Sequence, residues 1–250
     1  MIRLENLHKG FGSRKILKGV DLVIPKGKTT VVFGVSGGGK STIIKHIVGL
    51  LQPDEGNIYV NGTKVNGADE NTLLQIRKKV GFLFQNGALF DSMNIRDNVA
   101  FPIVEHQNLS AEEVEKIVDE KLTMVGLKPQ VVKSLFPDEL SGGMRKRAGL
   151  ARTLALEPDV ILYDEPTSGL DPITSDKITQ MIRTLQHELG VTSILISHDV
   201  KESFKAGDFF VMLYDGKIVE TGDAEHFQNT DNPVVQQFIH ARADGPIQFD

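Results

Sequence analysis

Short apolar stretches rich in β-branched residues occupy the first part of the chain. Residues 2–33 are predicted to form strands, with apolar and polar positions alternating over 20–24. The run 29–33 is β-branched and apolar enough to be buried. Asn61-Gly62 is a pair typical of tight hairpins, so 57–65 predicts two antiparallel strands. We therefore expect an antiparallel sheet in the N-terminal half.

The stretch 93–150 has a different pattern, because its apolar residues recur at helical spacing. The clearest run comprises Val114, Ile117, Val118, Leu122 and Val125. Ser110 and Glu113 have the spacing of a capping box and predict where that helix begins. No linker separates this stretch from its flanks, so it is interpreted as a helical insertion.

Strands and helices alternate after residue 150. An apolar strand is predicted at 160–163, a helix at 172–189 and a β-branched strand at 192–196. Asp215-Gly216 predicts a late hairpin, and 231–250 a short helix with a tail. This alternation favours an α/β fold with a parallel sheet.

The composition excludes several classes of protein. The 250 residues are 40% hydrophobic and 24% charged, which is ordinary for a globular protein. Cysteine is absent, so disulfide frameworks, cysteine-ligated zinc and thiol catalysis are excluded. The net charge of -5 gives no overall attraction to nucleic acid, which is not an expected partner. No apolar run approaches the ~18 residues of a membrane span, so work at a membrane would need a partner.

A glycine-rich segment between the strand at 29–33 and a helix fits the P-loop pattern. It comprises Gly34, Val35, Ser36, Gly37, Gly38, Gly39, Lys40 and Ser41. Its backbone N–H groups can point at phosphate oxygens, and Lys40 can neutralise the β- and γ-phosphates. The Ser41 hydroxyl suits Mg²⁺, and Thr42 is assigned to the same site. ATP and Mg²⁺ are therefore the expected cofactors.

Two acidic residues, Asp164 and Glu165, follow the strand at 160–163. Open α/β sheets place their ligands at the carboxyl ends of strands. Asp164 suits a Mg²⁺ role, whereas Glu165 suits activation of the water that attacks the γ-phosphate. A solvated turn would explain the pair equally well without the P-loop in the same chain.

Leu140-Ser141-Gly142-Gly143-Met144 resembles the signature motif of ABC ATPases and lies shortly before the two acids. The resemblance implies a P-loop NTPase with a RecA-like parallel-sheet core, an N-terminal antiparallel β subdomain and an inserted helical subdomain at about 93–150. It covers an ABC ATPase domain at 1–230. It assigns a nucleotide contact to each of Ser141, Gly142 and Gly143.

The same resemblance assigns roles to residues that mean little alone. Phe11 would stack on adenine, and Gln85 would be the Q-loop glutamine that contacts nucleotide and Mg²⁺. Ser168-Gly169-Leu170-Asp171 would form the D-loop, with Asp171 at the nucleotide, and His198 would be the catalytic switch histidine. Two positions depart from the usual pattern: Met144 replaces a glutamine, and Phe11 replaces the commoner tyrosine.

Residues 140–171 and 243–246 are similar to ATPases of Mla/Mce-type phospholipid transport systems. That family implies a head-to-tail homodimer enclosing two ATP molecules, an integral membrane permease and an MCE lipid-binding protein within the complex. It places the ATPase peripherally on the cytoplasmic face of the inner membrane. The tail within 231–250, with Ile247 and Phe249, would either be disordered or dock on the neighbouring subunit.

Other functions stay open at this stage. An ATPase of another importer or exporter would share the hydrolytic core. A non-transport ABC protein acting in translation or DNA repair is disfavoured by the acidic charge balance and the lack of a basic binding module. A small-molecule P-loop kinase would leave the signature motif unexplained. The basic run Arg145–Arg147 is most simply a solvated helix face.

Overall fold

Ten strands form two β-sheets in residues 1–248, the part of the chain described by a computed structural model. In chain order they are β1 (Ile2–Phe11), β2 (Arg14–Ile24), β3 (Thr29–Phe33), β4 (Glu55–Val60), β5 (Thr63–Lys64), β6 (Val80–Leu83), β7 (Val160–Asp164), β8 (Thr192–Ile196), β9 (Phe209–Tyr214) and β10 (Lys217–Gly222). The first sheet is antiparallel, in the order β2-β1-β4-β5. The second has the order β10-β9-β3-β8-β7-β6, and its pairs are parallel except β9 with β10.

Ten α-helices accompany the sheets within the described residues. They are α1 (Lys40–Ile47), α2 (Glu70–Lys79), α3 (Ile95–His106), α4 (Ala111–Met124), α5 (Pro129–Val132), α6 (Gly142–Leu154), α7 (Pro172–Leu189), α8 (Val200–Ala206), α9 (Ala224–Asn229) and α10 (Pro233–Ile239). Helices α3 to α6 form a helical segment inserted between β6 and β7, with α3, α4 and α6 in mutual contact. The α/β fold with an inserted helical subdomain is thereby confirmed.

Local sequence signals account for several element boundaries. The Ser110 hydroxyl accepts from the Glu113 N–H, and the Glu113 carboxylate accepts from the Ser110 N–H, which confirms the capping box of α4. Asn61 and Gly62 have φ of 48° and 84°, as a type I′ hairpin requires. The sequence analysis does not predict the short helices α2, α8 and α9.

Strand β3 lies at the centre of the six-stranded sheet and is buried on both faces. Val31 and Phe33 pack into the core shared with the helical segment, whereas Val32 packs toward α1 and the antiparallel sheet. A parallel strand covered on both faces is buried along its whole length, and here two threonines precede three apolar residues. The loop that follows Phe33 therefore begins from a rigid support.

The C-terminal tail contacts its own chain. The Ile247 N–H donates to Gln237 Oε1 at 2.7 Å, and Gln237 Nε2 donates to the Ile247 carbonyl at 3.0 Å. Tyr214 OH donates to the Pro246 carbonyl at 2.7 Å, and the Ile247 side chain is buried. Phe249 lies outside the described residues. Docking of the tail on a second subunit, and the domain boundary at residue 230, stay predictions.

None of the helices within residues 1–248 combines the length and the apolar character needed to cross a membrane.

Candidate active site

The predicted P-loop connects β3 to α1 through backbone conformations that favour glycine. Gly34 has φ of 154°, and a Cβ at this position would lie 2.5 Å from the Leu213 carbonyl oxygen. Gly39 caps α1 in the left-handed region, with φ of 104°, and gives the helix no side-chain cap. The first N–H groups of α1 are therefore left for a ligand, and a helix N-terminus favours an anion. This cradle fits a phosphate group.

Lys40 is buried although it carries an ammonium group. Its Nζ donates to the carbonyl oxygens of Gly34 at 2.7 Å and Val35 at 3.0 Å, so the side chain folds back across the loop. Burial lowers the pKa of Lys40, while the nearby charges of Glu165 and Asp164 oppose that shift. The loop thus contains a cation whose cost of burial decreases when an anion binds beside it.

Ser41 and Asp164 meet although they are far apart in the chain. Ser41 Oγ donates to Asp164 Oδ1 at 3.0 Å. Burial raises the pKa of Asp164, and the hydrogen bond from Ser41 partly offsets this effect. A hydroxyl beside a carboxylate oxygen is the kind of donor set that Mg²⁺ prefers. These two residues therefore fit a Mg²⁺ ion that also contacts phosphate.

Glu165 is held in an unusual backbone conformation, with φ of 49°. Its N–H donates to the Ile196 carbonyl at the end of β8, at 3.0 Å. Gln85 Nε2 lies 3.3 Å from one carboxylate oxygen, and His198 Nδ1 lies 3.4 Å from the other. A non-glycine residue in the left-handed region costs free energy and persists only when its surroundings hold it. The fold therefore fixes the position of the Glu165 carboxylate between Gln85 and His198.

The same edge of the sheet unites residues from several strands. Gln85 follows β6, Asp164 ends β7, and His198 follows β8, while the P-loop follows β3. These four strands are parallel, so their carboxyl ends lie at one edge. The structure thus brings together six of the predicted site residues, namely Lys40, Ser41, Gln85, Asp164, Glu165 and His198.

The signature residues lie at the start of α6, in a different place. Ser141 caps α6 by accepting from the Met144 N–H at 3.3 Å. Asp171 caps α7 by accepting from the Ile173 and Thr174 N–H groups. Ser141, Gly142, Gly143 and Asp171 line a cavity of about 620 Å³ whose lining includes no P-loop residue. Within one chain, the predicted site residues therefore form two groups.

Phe11 belongs to neither group by contact. It is the last residue of β1 and is 49% exposed. Lys9 Nζ lies 5.6 Å from the ring centroid. An exposed aromatic face of this kind is available for stacking on a planar ring.

Lys146 was missed as a site residue. The expected solvated face is wrong for this residue, because Lys146 is only 6% exposed and its Nζ donates to the Ser168 carbonyl. Ser168 Oγ in turn accepts from Gln85 Nε2 at 3.1 Å. Gly143, Lys146 and Leu150 are spaced by three and four residues, which places them on one helix face. This spacing by three and four residues is the feature of the sequence that predicts a buried Lys146.

Comparison with known proteins identifies the family. A family model described as "ABC transporter" matches residues 17–168. The chain belongs to the ABC transporter family. This ABC ATPase is 44% identical over 238 residues to the intermembrane phospholipid transport system ATP-binding protein MlaF of Escherichia coli, a match that covers 95% of this chain and 88% of MlaF. It is also 44% identical over 246 residues to the probable ribonucleotide transport ATP-binding protein mkl of Mycobacterium tuberculosis, covering 98% and 68%.

Solved structures support the same assignment for this ABC ATPase. The dimeric post-hydrolysis structure of the ATP-binding cassette MJ0796 bound to ADP and Pi has a TM-score of 0.82 and 34% identity, covering 89% of this chain and 98% of that one. CbiO1 from Clostridium perfringens, part of the ABC transporter complex cbiONQ, has a TM-score of 0.83 and 28% identity, covering 96% of each chain. The predicted fold and ATPase class are confirmed.

Proposed function

We propose that this ABC ATPase powers phospholipid transport as the nucleotide-hydrolysing subunit of a membrane complex. The convergence of Lys40, Ser41, Asp164 and Glu165 at one sheet edge carries the hydrolytic part of the proposal. The likeness to MlaF, named for intermembrane phospholipid transport and matched over 95% of this chain, supports the substrate class. The likeness to a protein named for ribonucleotide transport makes a nucleotide transporter the second candidate.

Phosphate binding is proposed for the P-loop and the start of α1. The backbone N–H groups of residues 34–42 hold the phosphate oxygens, and the Lys40 ammonium moves from its carbonyl partners to the β- and γ-phosphates. Ser41, Asp164 and the Gln85 side-chain oxygen would hold Mg²⁺, and the bound ion would supply positive charge beside the phosphates. Phe11 stacks on the adenine ring through its exposed face.

Proton transfer is proposed for Glu165. Its carboxylate accepts a proton from the water that attacks the γ-phosphorus, while the bond from that phosphorus to the bridging oxygen breaks and ADP leaves. A positioned general base contributes about 10²–10⁴-fold to a rate. His198, whose Nδ1 faces the same carboxylate, orients the water and the γ-phosphate. Gln85 Nε2 donates to the other carboxylate oxygen, and the side-chain oxygen of Gln85 would be available to hold Mg²⁺.

A second copy of the chain is proposed to complete each nucleotide site. Ser141 and Gly142 are exposed at the start of α6 and lie apart from the P-loop of their own chain. In a head-to-tail homodimer, Ser141, Gly142, Gly143 and Asp171 of one subunit would face the γ-phosphate held by the other. The dimeric cassette structures with 34% and 35% identity support the formation of a dimer.

An aromatic surface is proposed as the docking site for an integral membrane permease. Phe84, Phe90 and Phe101 are exposed and line a cavity of about 370 Å³ between the sheet and the helical segment. Exposed apolar patches of this kind mark protein interaction sites. The ATPase would then lie peripherally on the cytoplasmic face of the inner membrane, with an MCE lipid-binding protein reached through the permease.

Affinity purification tests this proposal. Tagged Glu165→Gln protein is purified with ATP from detergent-solubilised native membranes, with tagged Lys40→Ala protein as the matched control. Mass spectrometry then identifies the bound proteins and lipids. A permease with an MCE protein and phospholipid, enriched over the control, is the expected result.

Two other outcomes would change the assignment. If a different permease were found without phospholipid, the ATPase mechanism would stand, but the transported substrate would belong to another class, such as nucleotides. Ribosomal or DNA-repair proteins without any membrane protein would exclude transport.

A further inference from the structure

Lys146 is a buried cation for which nucleotide binding alone gives no reason. Its hydrogen-bond partner within residues 1–248 is a backbone carbonyl, that of Ser168, rather than a carboxylate. A buried ammonium costs free energy that an apolar side chain of similar volume would not. Lys146 lies on α6, whose first turn carries the signature residues, whereas Ser168 belongs to the segment that follows Glu165.

Ser168 closes a tight turn that begins at Glu165. The Ser168 N–H donates to the Glu165 carbonyl at 3.1 Å, and the Leu170 N–H donates to the Thr167 carbonyl at 3.2 Å. Gln85 Nε2 bridges Ser168 Oγ and the Glu165 carboxylate. The turn 165–168 is therefore held by Gln85 on one side and by Lys146 on another.

Lys146 also lies close enough to Glu165 for their charges to interact. Burial lowers the pKa of Lys146, and the negative charge of Glu165 opposes that shift. Glu165 is the residue with φ of 49°, a conformation that needs support from its surroundings. Lys146 supplies such support from the helical segment, and it does so within one chain.

We infer that Lys146 is a positioning residue that ties α6 to the turn 165–168, so that displacement of the helical segment changes the placement of the Glu165 carboxylate. The inference rests on the proposed role of Glu165 in hydrolysis. In this scheme Lys146 connects α6, which carries the signature residues, to the proposed base Glu165 of the same subunit. Lys146 itself touches neither the water nor the nucleotide in this scheme.

Hydrogen exchange of the nucleotide-free protein tests the link without any activity measurement. Lys146→Met removes the ammonium group, Lys146→Arg keeps a donor, and Lys116→Met removes an exposed lysine from α4 as the matched control. We expect the amides of Ser168 and Leu170 to exchange roughly tenfold faster in Lys146→Met than in the wild type, because the turn opens more often. Lys146→Arg should restore most of the protection, and Lys116→Met should match the wild type.

Steady-state kinetics give the second readout. Lys146→Met should lower kcat roughly tenfold while KM for ATP stays within about twofold, because a misplaced base slows chemistry without removing a phosphate contact. In the Glu165→Gln background the same substitution should cause no further loss of kcat. If Lys146→Met does not fold, Lys146→Leu takes its place in both measurements.

The outcomes separate this inference from the proposed function. Suppose that the wild type hydrolyses ATP. Wild-type exchange rates at Ser168 and Leu170 in Lys146→Met, or a wild-type kcat in that variant, would then overturn the role of Lys146. An additive loss in the Glu165→Gln background would overturn its action through Glu165. If the wild type hydrolysed no ATP, the proposed function would fail, and faster exchange in Lys146→Met would still establish the tie between α6 and the turn.

Discussion

The start of α1 and the start of α6 are both helix N-termini beside glycine-rich segments, but their surroundings differ. Around α1, Lys40 and Ser41 are hydrogen-bonded to the loop and to Asp164. At α6, Ser141 satisfies its own helix, and Ser141 and Gly142 are exposed. The first site already contains the lysine and the carboxylates that phosphate chemistry needs, whereas the second presents two helix starts, capped by Ser141 and Asp171.

This difference indicates which contacts one chain can supply by itself. The α1 site is formed where four parallel strands end, so the sheet brings its members together. The α6 site is carried by the helical segment and faces outward, with Ile173 71% exposed beside Asp171. Ser141 and Asp171 are themselves exposed in the single chain, so a second molecule can reach both caps.

Glu165→Gln should have the largest effect on the α1 site. The substitution removes the proton acceptor but keeps the shape, so hydrolysis should slow by roughly 10²-fold or more while ATP binding is retained. Phosphate release and equilibrium nucleotide binding measure the two quantities, with Glu188→Gln on exposed α7 surface as control. Wild-type turnover in the variant would remove Glu165 from its role.

Lys40→Ala should weaken binding at the same site. A hydrogen bond to a charged group contributes about 1.5–3 kcal/mol, so the dissociation constant for ATP should rise roughly 10- to 100-fold. Lys28→Ala is the matched control, because Lys28 is exposed just before the opposite end of β3. Titration calorimetry of both variants decides the matter. Unchanged ATP affinity in Lys40→Ala would contradict the assignment of the P-loop lysine.

Ser141→Arg tests whether the α6 site acts on a second subunit. The bulky side chain should block closure and lower hydrolysis by roughly tenfold or more, since a clash at an interface costs several kcal/mol. Nucleotide binding by the monomer should be retained. Ser110→Arg, which alters the cap of α4, is the control for loss of a helix cap.

Mixed dimers give the sharper form of this test. One subunit carries Ser141→Arg, and hydrolysis is assigned to each of the two sites by adding Lys40→Ala to one subunit or the other. The defect is expected at the site whose P-loop belongs to the unaltered subunit. A defect confined to the altered subunit's own P-loop would show that the α6 site acts within one chain.

Gln237→Ala should have the smallest effect, and it concerns stability alone. The substitution removes the hydrogen bonds to Ile247 and leaves two buried backbone groups without partners, which costs about 1–3 kcal/mol in the free energy of unfolding. Thermal unfolding should show a lower Tm, and Gln228→Ala on the exposed surface of α9 should not. An unchanged Tm would indicate that the tail contributes little to the fold of its own chain.

The sequence predicted features whose cause is local. The Asn61-Gly62 turn and the Ser110–Glu113 capping box each depend on a few neighbouring residues, and both occur as expected. The P-loop lies between a buried strand and a helix for the same reason. Roles taken from the family resemblance, such as that of His198, remain proposals. The structure adds which residues lie beside them, as Glu165 lies beside His198.

The sequence did not predict contacts between distant segments. The Gln85 amide reaches Glu165 because β6 and β7 are parallel neighbours, with Leu83 beside Tyr163. Lys146 reaches Ser168 because the buried face of α6 lies against the segment after β7. The tail contacts Tyr214 and Gln237, which no local pattern connects with Pro246 or Ile247.

The sequence by itself determined most of the strands, the longer helices, the P-loop and the chemistry available at the ends of the strands, because these follow from side-chain spacing and backbone preference within short windows. Tertiary structure alone decided which of these residues meet: Lys146 with Ser168, Gln85 with Glu165, and Gln237 with Ile247. The physical reason is that sheet order and helix packing minimise exposed apolar surface over the whole chain. Polar contacts between distant residues therefore depend on an arrangement that no local segment encodes.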